Sequence, residues 1–379
     1  MRYSSIDCLR TIAIVVMVLV HFAENLSGVH LPITGLGAPL FVFLSGLSYR
    51  LWVNGLEQRN VSAEEISKRS IRRGLFVFGV GFGFNILVWL PEDTFNWDVL
   101  TFIGFSLLTL NLLRRLPMPV SIWIAVISAL ISPLLREMAD YEAYWAEGYF
   151  DPDLTLSDIA IGFLATGYFP IFPWLAYSIA GLVIGTIMFP INTAHETCLR
   201  KRALSPTMET NSGLWPNART PVLVGTSLFI LSAALLAIRP YLPLLISQRY
   251  LGGWSMFPPS VEYVFATIGM ASLLFGAAHL WIDRPRGRSL SPGLLDITKT
   301  FSRYSFTIYV LHHLVHLWPL WLYGAASGRE ATYYWEKAML LSMALSLACV
   351  FLVICYLALR KIGPDRRLGV EGWMRWLCD

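Results

Sequence analysis

Charge is scarce in this chain. Asp, Glu, Lys and Arg make up 14% of its 379 residues, against roughly 25% in a soluble globular domain. That shortage excludes an ordinary water-exposed surface. Cysteine is scarce too: there are five, without paired spacing. Cys8, Cys349 and Cys355 fall inside apolar runs, and Cys198 and Cys378 in basic segments. No disulfide framework and no metal site is expected from them. Internal repeats and low-complexity tracts are missing. Many transporters are built from such repeats. The net charge of +4 is no nucleic-acid signature, because the basic residues sit in loops between apolar blocks.

What the chain has is apolar length. Hydrophobic residues make up 55% of it, and a membrane span needs roughly 20 in a row. The fold class is therefore all-α, a polytopic helical membrane bundle, read as one domain over 1–379. Ten spans are predicted, at about 8–26, 36–54, 73–91, 98–114, 119–135, 170–189, 220–239, 260–282, 304–323 and 338–360. The first is too long for a removable signal peptide and lacks a cleavage site. A shorter piece, "LSDIAIGFLATGYF" (156–169), reads as a re-entrant or interfacial helix or as an extension of the next span. The loop 190–219 is rich in Pro, Asn and Thr and is expected to be mobile.

Every second loop is basic: "QRNVSAEEISKRSIRR", Arg114 with Arg115, "LRKRALSP", "DRPRGRSLSP" and the tail "RKIGPDRR". The alternate loops hold only Arg136, Arg239, Arg249, Arg329 and Lys337, five of the 29 Lys and Arg residues. The positive-inside rule then gives an even span count with both termini in the cytoplasm.

The first span, "CLRTIAIVVMVLVHFAEN", carries Arg10 near its inner end and His21 in its outer half. Eleven residues turn a helix by about 1100°, about 20° past three full turns, and advance it roughly 16 Å. Arg10 and His21 therefore share a face, with Asp7, Glu24 and Asn25 near it. Intramembrane ionisable residues usually face a bundle interior or a wet cavity. One stripe of them points to a lined cavity. The blander reading has Arg10 reaching the headgroups and His21 bonding a neighbouring helix.

An arginine, ten intervening residues and a histidine resemble the membrane-bound acyltransferase-3 family. The wider context, "SIDCLRTIAIVVMVLVHF" followed by "GLGAPLFVFLSGLSYRL", resembles the heparan-α-glucosaminide N-acetyltransferase family and its bacterial relatives more closely. "FNWDVLTFIGFSLL" (95–108), "YFPIFPWLAYSIAGLVIG" (168–185) and "FSRYSFTIYVLHHLV" (301–315) are similar to the same group, in the same order. The resemblance implies acyl transfer, acetyl by preference, from cytosolic acyl-CoA to a hydroxyl or amine of a saccharide across a bacterial inner membrane. Heparan-type members carry an asparagine where this chain has His21 and a histidine some eleven residues later. Here the next histidine is His30, nine residues on. Both remain candidate bases; His21 ranks first on its arginine spacing.

Such chemistry needs a base, oxyanion donors and an anchor for the CoA phosphates. Imidazole titrates near working pH, at about 6.5 when unperturbed, and suits the base. Glu24 at i+3 and Asn25 at i+4 are within reach of His21. Arginines grip phosphate as a fork, and Arg10, Arg50, Arg72, Arg73 and Arg303 are the inner candidates, although positive-inside topology alone also supplies arginines there. Tyr304 and Ser305 lie at the same end. His312, His313 and His316 lie deeper in the ninth span, read as core hydrogen bonders or acceptor contacts. Two imidazoles at i,i+4 without a further ligand make a weak zinc signal, so no metal is expected. Asn85, Asp98 and Trp174 are the outer-half candidates for substrate contact, Trp174 by stacking on a sugar. Gly35, Gly37, Ser45 and Gly46 read first as close-packing residues and second as oxyanion donors.

Two other classes compete. One is a proton-coupled transporter or flippase of a small molecule or glycolipid, relaying through His21 and the later histidines. The other is a scaffold subunit, which has no use for a polar stripe. The implied partners are the lipid bilayer and a saccharide or glycoconjugate; nucleic acid is not among them, and a homo-oligomer is allowed. The topology is checked by thiol labelling from outside intact cells. Glu142→Cys should react with an impermeant reagent and Gln58→Cys should not; the reverse pattern would invert the topology.

Overall fold

The structure is a computed structural model that describes residues 2–88, 94–95, 97–147, 155–190, 219–283, 290–362 and 369–379. The expected mobile loop 190–219 and the "LRKRALSP" segment lie almost wholly outside the described residues. Among the described residues the regular structure is helical throughout. In chain order the helices are α1 (Ser4–Ser27), α2 (Gly37–Glu57), α3 (Ala63–Val88), α4 (Val99–Leu113) and α5 (Met118–Met138). Then come α6 (Tyr141–Glu147), α7 (Leu156–Ile161), α8 (Ile171–Met188), α9 (Thr220–Ile238) and α10 (Leu244–Tyr250). The last are α11 (Val261–Ala278), α12 (Pro292–Arg303), α13 (Ser305–Ala326), α14 (Leu341–Ile362) and α15 (Val370–Cys378).

Each of the ten expected spans coincides with one helix. Among the described residues, seven helical stretches are long and apolar enough to cross a membrane by length and composition: α1, α3, α5, α8, Thr220–Tyr241, Val261–Asp283 and α14. The other three expected spans are α2, α4 and α13. Helix α4 is only 15 residues long, while α13 carries three histidines. The stretch 156–169 is an element of its own. Thr155 and Asp158 form a capping box that starts α7. A π-helical turn, Gly162–Thr166, follows, and α8 begins after Pro170.

Helix α1 is the centre of the bundle, touching α2, α11, α12, α13 and α14. It stops at Gly28, whose φ of +66° is left-handed, a conformation glycine adopts without steric cost. A Cβ there would also sit 2.7 Å from the Glu336 carbonyl oxygen. The periphery is lipid-compatible: α9 exposes Leu223, Phe229 and Ile230, and α14 exposes Val350, Val353 and Ile354.

Arg2 and Asp379, near the two ends of the chain, are each tied to a helix. Arg2 donates to the Lys299 carbonyl at 3.0 Å, beside the end of α12. Asp379 accepts from Arg73 at 2.9 Å. Amphipathic α15 clamps the start of α13. Buried Glu371 accepts from the backbone N–H groups of Phe306 (2.6 Å) and Thr307 (3.0 Å) and from the Thr307 hydroxyl. Burial pushes this carboxyl up, and the Thr307 donors pull it back.

Helices α2 and α8 approach to backbone contact. A Cβ added at Gly46 would lie 1.9 Å from the Ser178 carbonyl oxygen, and one at Gly181 would lie 2.0 Å from that of Phe43. Gly55, on the same α2, has open space around it. Gly46→Ala should therefore destabilise the fold by about 1–3 kcal/mol through overpacking. Gly55→Ala should be neutral or stabilising, by up to about 1 kcal/mol. Thermal unfolding in detergent checks the contrast, which fails if the two variants melt alike.

Candidate functional site

The polar stripe of α1 finds its partners at three heights. Toward the N-terminal end of α1, Arg10 donates to the Ser302 hydroxyl at 2.8 Å and its carbonyl at 3.3 Å, and to Ser48 on α2. Ser302 in turn donates to Asp7 at 2.6 Å, which also accepts from Arg2 at 2.6 Å. At mid-height the His21 Nδ1 lies 2.7 Å from the His312 Nε2, and the two rings stack at 5.0 Å. Above them, the Asn25 Nδ2 lies 2.8 Å from the His316 Nε2. His313 completes the group, 4.6 Å from His21 and 4.0 Å from His312 between ring centroids.

The hydrogen-bond network assigns the tautomers. The Tyr309 carbonyl can only accept, so the His312 Nδ1 facing it carries the proton. With the rings neutral, the His312 Nε2 is a lone pair and accepts from the His21 Nδ1–H. The Nε2 of His21 is left with a free lone pair. His316 is set likewise: its Nδ1 donates to the His312 carbonyl, and its Nε2 accepts from Asn25.

Beside these residues is a cavity of about 360 Å³. Its α1 wall is Ala13, Val16, Met17, Val20, His21 and Glu24; their spacing of three or four is one helix face. Opposite stand Asp98, Tyr309 and His313, and the mouth holds His30, Thr34, Trp335 and Glu336. Asp98 caps α4 by accepting from the Leu100 N–H and receives the Tyr309 hydroxyl at 2.7 and 2.9 Å. Arg10, one turn inward of Ala13, is not among the lining residues.

Several expected residues are brought together. His21, His30, Glu24, Asn25, Asp98 and His313 all line the cavity, with His312 and His316 directly behind. Gly35 and Gly37 are in its wall. The partnerships differ from expectation, however. Glu24 serves His30 and Thr34, both at 3.0 Å, and Asn25 serves His316. His21 is oriented by His312 rather than by either of them. His30 is on an exposed loop, its side chain 77% accessible.

Other expected contacts lie away from the cavity. Trp174 is 0% exposed and packs on Phe169 and Tyr177, so it belongs to the core rather than to a sugar platform. Asn85 is also 0% exposed and ties α3 to the Thr94 carbonyl at 3.1 Å. Gly46 and Ser45 are packing residues; Ser45 donates to the Val42 carbonyl at 2.7 Å. Among the inner cations, Arg50 is buried 3.9 Å from Glu57. Arg73 pairs with Asp379 and covers Trp52 at 4.3 Å. Arg72 is exposed and Arg303 half-buried, with Tyr304 buried behind it.

Sequence reasoning missed Tyr309, Trp335, Glu336, Met256 and Phe257, which also line the cavity. Tyr309 was within reach, since it sits three residues before His312 on the same helix. The others come from loops, where no periodicity marks direction.

No curated protein matches this chain. The family model for heparan-alpha-glucosaminide N-acetyltransferase, catalytic, matches residues 2–211, more than half of the length. The match includes His21, His30 and Asp98 but ends before Tyr309 and the histidines of α13. A chain with that match over a helical bundle of membrane-spanning character is a member of the heparan-alpha-glucosaminide N-acetyltransferase catalytic family, a family of membrane acyltransferases.

Proposed function

We propose that this protein, as a single membrane domain, transfers an acetyl group from acetyl-CoA to a hydroxyl or amine of a saccharide. The observation that carries the reading is the 2.7 Å contact of the His21 Nδ1 with the His312 Nε2, which leaves a lone pair on the His21 Nε2. His312 and the Tyr309 carbonyl hold it in one tautomer at the wall of the cavity. The acceptor O–H or N–H gives its proton to that nitrogen as its heteroatom attacks the thioester carbonyl. The C–S bond then breaks, and the departing thiolate recovers the proton from His21. The phosphates of CoA would rest on the inner cations, Arg10, Arg72 and Arg303 first, because Arg50 and Arg73 are paired with carboxylates. The saccharide would enter by the mouth near His30 and Glu336, with Asp98 and Tyr309 facing it.

In this reading the basic end with both termini is cytoplasmic, and the mouth faces the outside of a bacterial inner membrane. A base of this kind contributes about 10²–10⁴-fold. His21→Ala should lower kcat by that much in the purified protein, with the KM for acetyl-CoA little changed. His312→Ala should give a smaller loss, because it leaves the base in place but frees its tautomer. A predominant loss in His30→Ala instead, with His21→Ala active, would move the base to the Glu24–His30 pair.

The deciding assay incubates the protein with labelled acetyl-CoA alone and then with candidate saccharides. Label on product, with none retained on protein, supports direct transfer. Label on protein before acceptor is added would mean an acetyl-imidazole intermediate. Absence of binding and of transfer, together with saccharide uptake into vesicles without an acyl donor, would replace the reading with transport.

A further inference from the structure

On sequence alone the histidines of α13 lack a third ligand. The fold supplies one from α1. One ligand atom each from His21, His312 and His313 lie within 4.8 Å of one another. We propose that these three imidazoles bind a divalent transition metal ion of the zinc type, and that the bound ion switches the site off.

Three protein nitrogens plus an open fourth position is the arrangement of accessible zinc sites, and here the open side faces the 360 Å³ cavity. The donor set is all imidazole, which suits Zn, Cu, Ni or Fe rather than Mg or Ca. The nearby oxygen anion, Asp98, is already bonded to Tyr309. The outer shell is in place as well. Metal-bound histidines usually donate their other ring N–H to a carbonyl or carboxylate, as the His312 Nδ1–H does to Tyr309. His316, fixed by Asn25 at 2.8 Å, braces the same turn. All three ligands stand on helices, which hold geometry better than loops do.

The required movement is at most about 1.4 Å, because ligand atoms up to 4.8 Å apart must close to the tetrahedral separation. Zn–N bonds of about 2.0–2.1 Å in a tetrahedron put ligand nitrogens about 3.4 Å apart. His21 and His312 are now 2.7 Å apart with a proton between them. The ion takes that proton's place, and the pair opens by about 0.7 Å. His21 stays neutral, so the proton displaced from its Nδ1 is carried by cavity water to its Nε2. The metal thus forms a bond to Nδ1 and, in the same exchange, consumes the lone pair that the acceptor needs. Binding does not depend on the acyl-transfer reading; the inhibitory consequence rests on it.

The test uses full-length protein in lipid nanodiscs, stripped with chelator and titrated with Co²⁺. The expected result is the intense visible absorption of tetrahedral, nitrogen-ligated cobalt, abolished by Zn²⁺. X-ray absorption of the zinc form should count three imidazoles. His312→Ala and His313→Ala should each weaken zinc binding at least tenfold, and His30→Ala should leave it unchanged. Pale octahedral cobalt, or unchanged affinity in both α13 variants, overturns the site. Should those variants unfold, the cobalt spectrum and imidazole count of the unaltered protein decide alone. Acetyl transfer should stop at saturating zinc and return with chelator; undiminished transfer there overturns the switch. Metal binding without transfer under any condition would instead retain the site and remove the enzymatic reading.

Discussion

The contact between His21 and His312 joins helices that are 291 residues apart in sequence. In a bundle without bulk water, an unpaired imidazole or guanidinium costs several kcal/mol. The first helix carries such groups at three levels, so something must meet each of them. The end of α12 meets Arg10 with Ser302. Helix α13 meets His21 and Asn25 with His312 and His316. Polar contacts are stronger in low dielectric; the two with α13 fix its register and rotation against α1, and the third fixes the end of α12.

That registration also shapes the cavity. With α13 locked, Tyr309 and His313 face the α1 wall, and Tyr309 reaches Asp98 on the start of α4. The start of α13 is held by Glu371 from α15. The C-terminal end of α1 is held by the loop after α13: the Glu336 and Met339 N–H groups donate to the Asn25 and Leu26 carbonyls at 2.9 and 3.1 Å. The site is therefore braced at both ends, while the helices facing lipid, α9 and α14, stand outside it. The same bracing makes the imidazole cluster a pre-formed set of ligands.

Much of this was legible in the residues. Twenty apolar positions in a row can be satisfied in few ways, so each expected span falls on a helix, even the 15-residue α4, although α3 starts ten residues before its expected span. The fixed rotation per residue placed Arg10, His21 and the neighbouring polar groups on one face, and the cavity runs along that face from Ala13 to Glu24. The partners were not legible. Glu24 and Asn25 are near His21 along the helix, but His30 and His316 occupy them. Trp174 and Asn85 looked suited to a substrate and are wholly buried. Amphipathic side chains in a membrane helix read alike whether they face a cavity or a neighbouring helix.

The sequence by itself determined the helical membrane character, where the apolar helices fall and the polar face of the first one. These follow from hydropathy and from the helix repeat, which are local. Only the tertiary structure decided that His312 orients His21, that a third imidazole joins them, and that the cavity stops one turn short of Arg10. Those outcomes depend on which helix packs against α1 and at what height. Contacts between residues hundreds of positions apart leave no periodic trace in either segment.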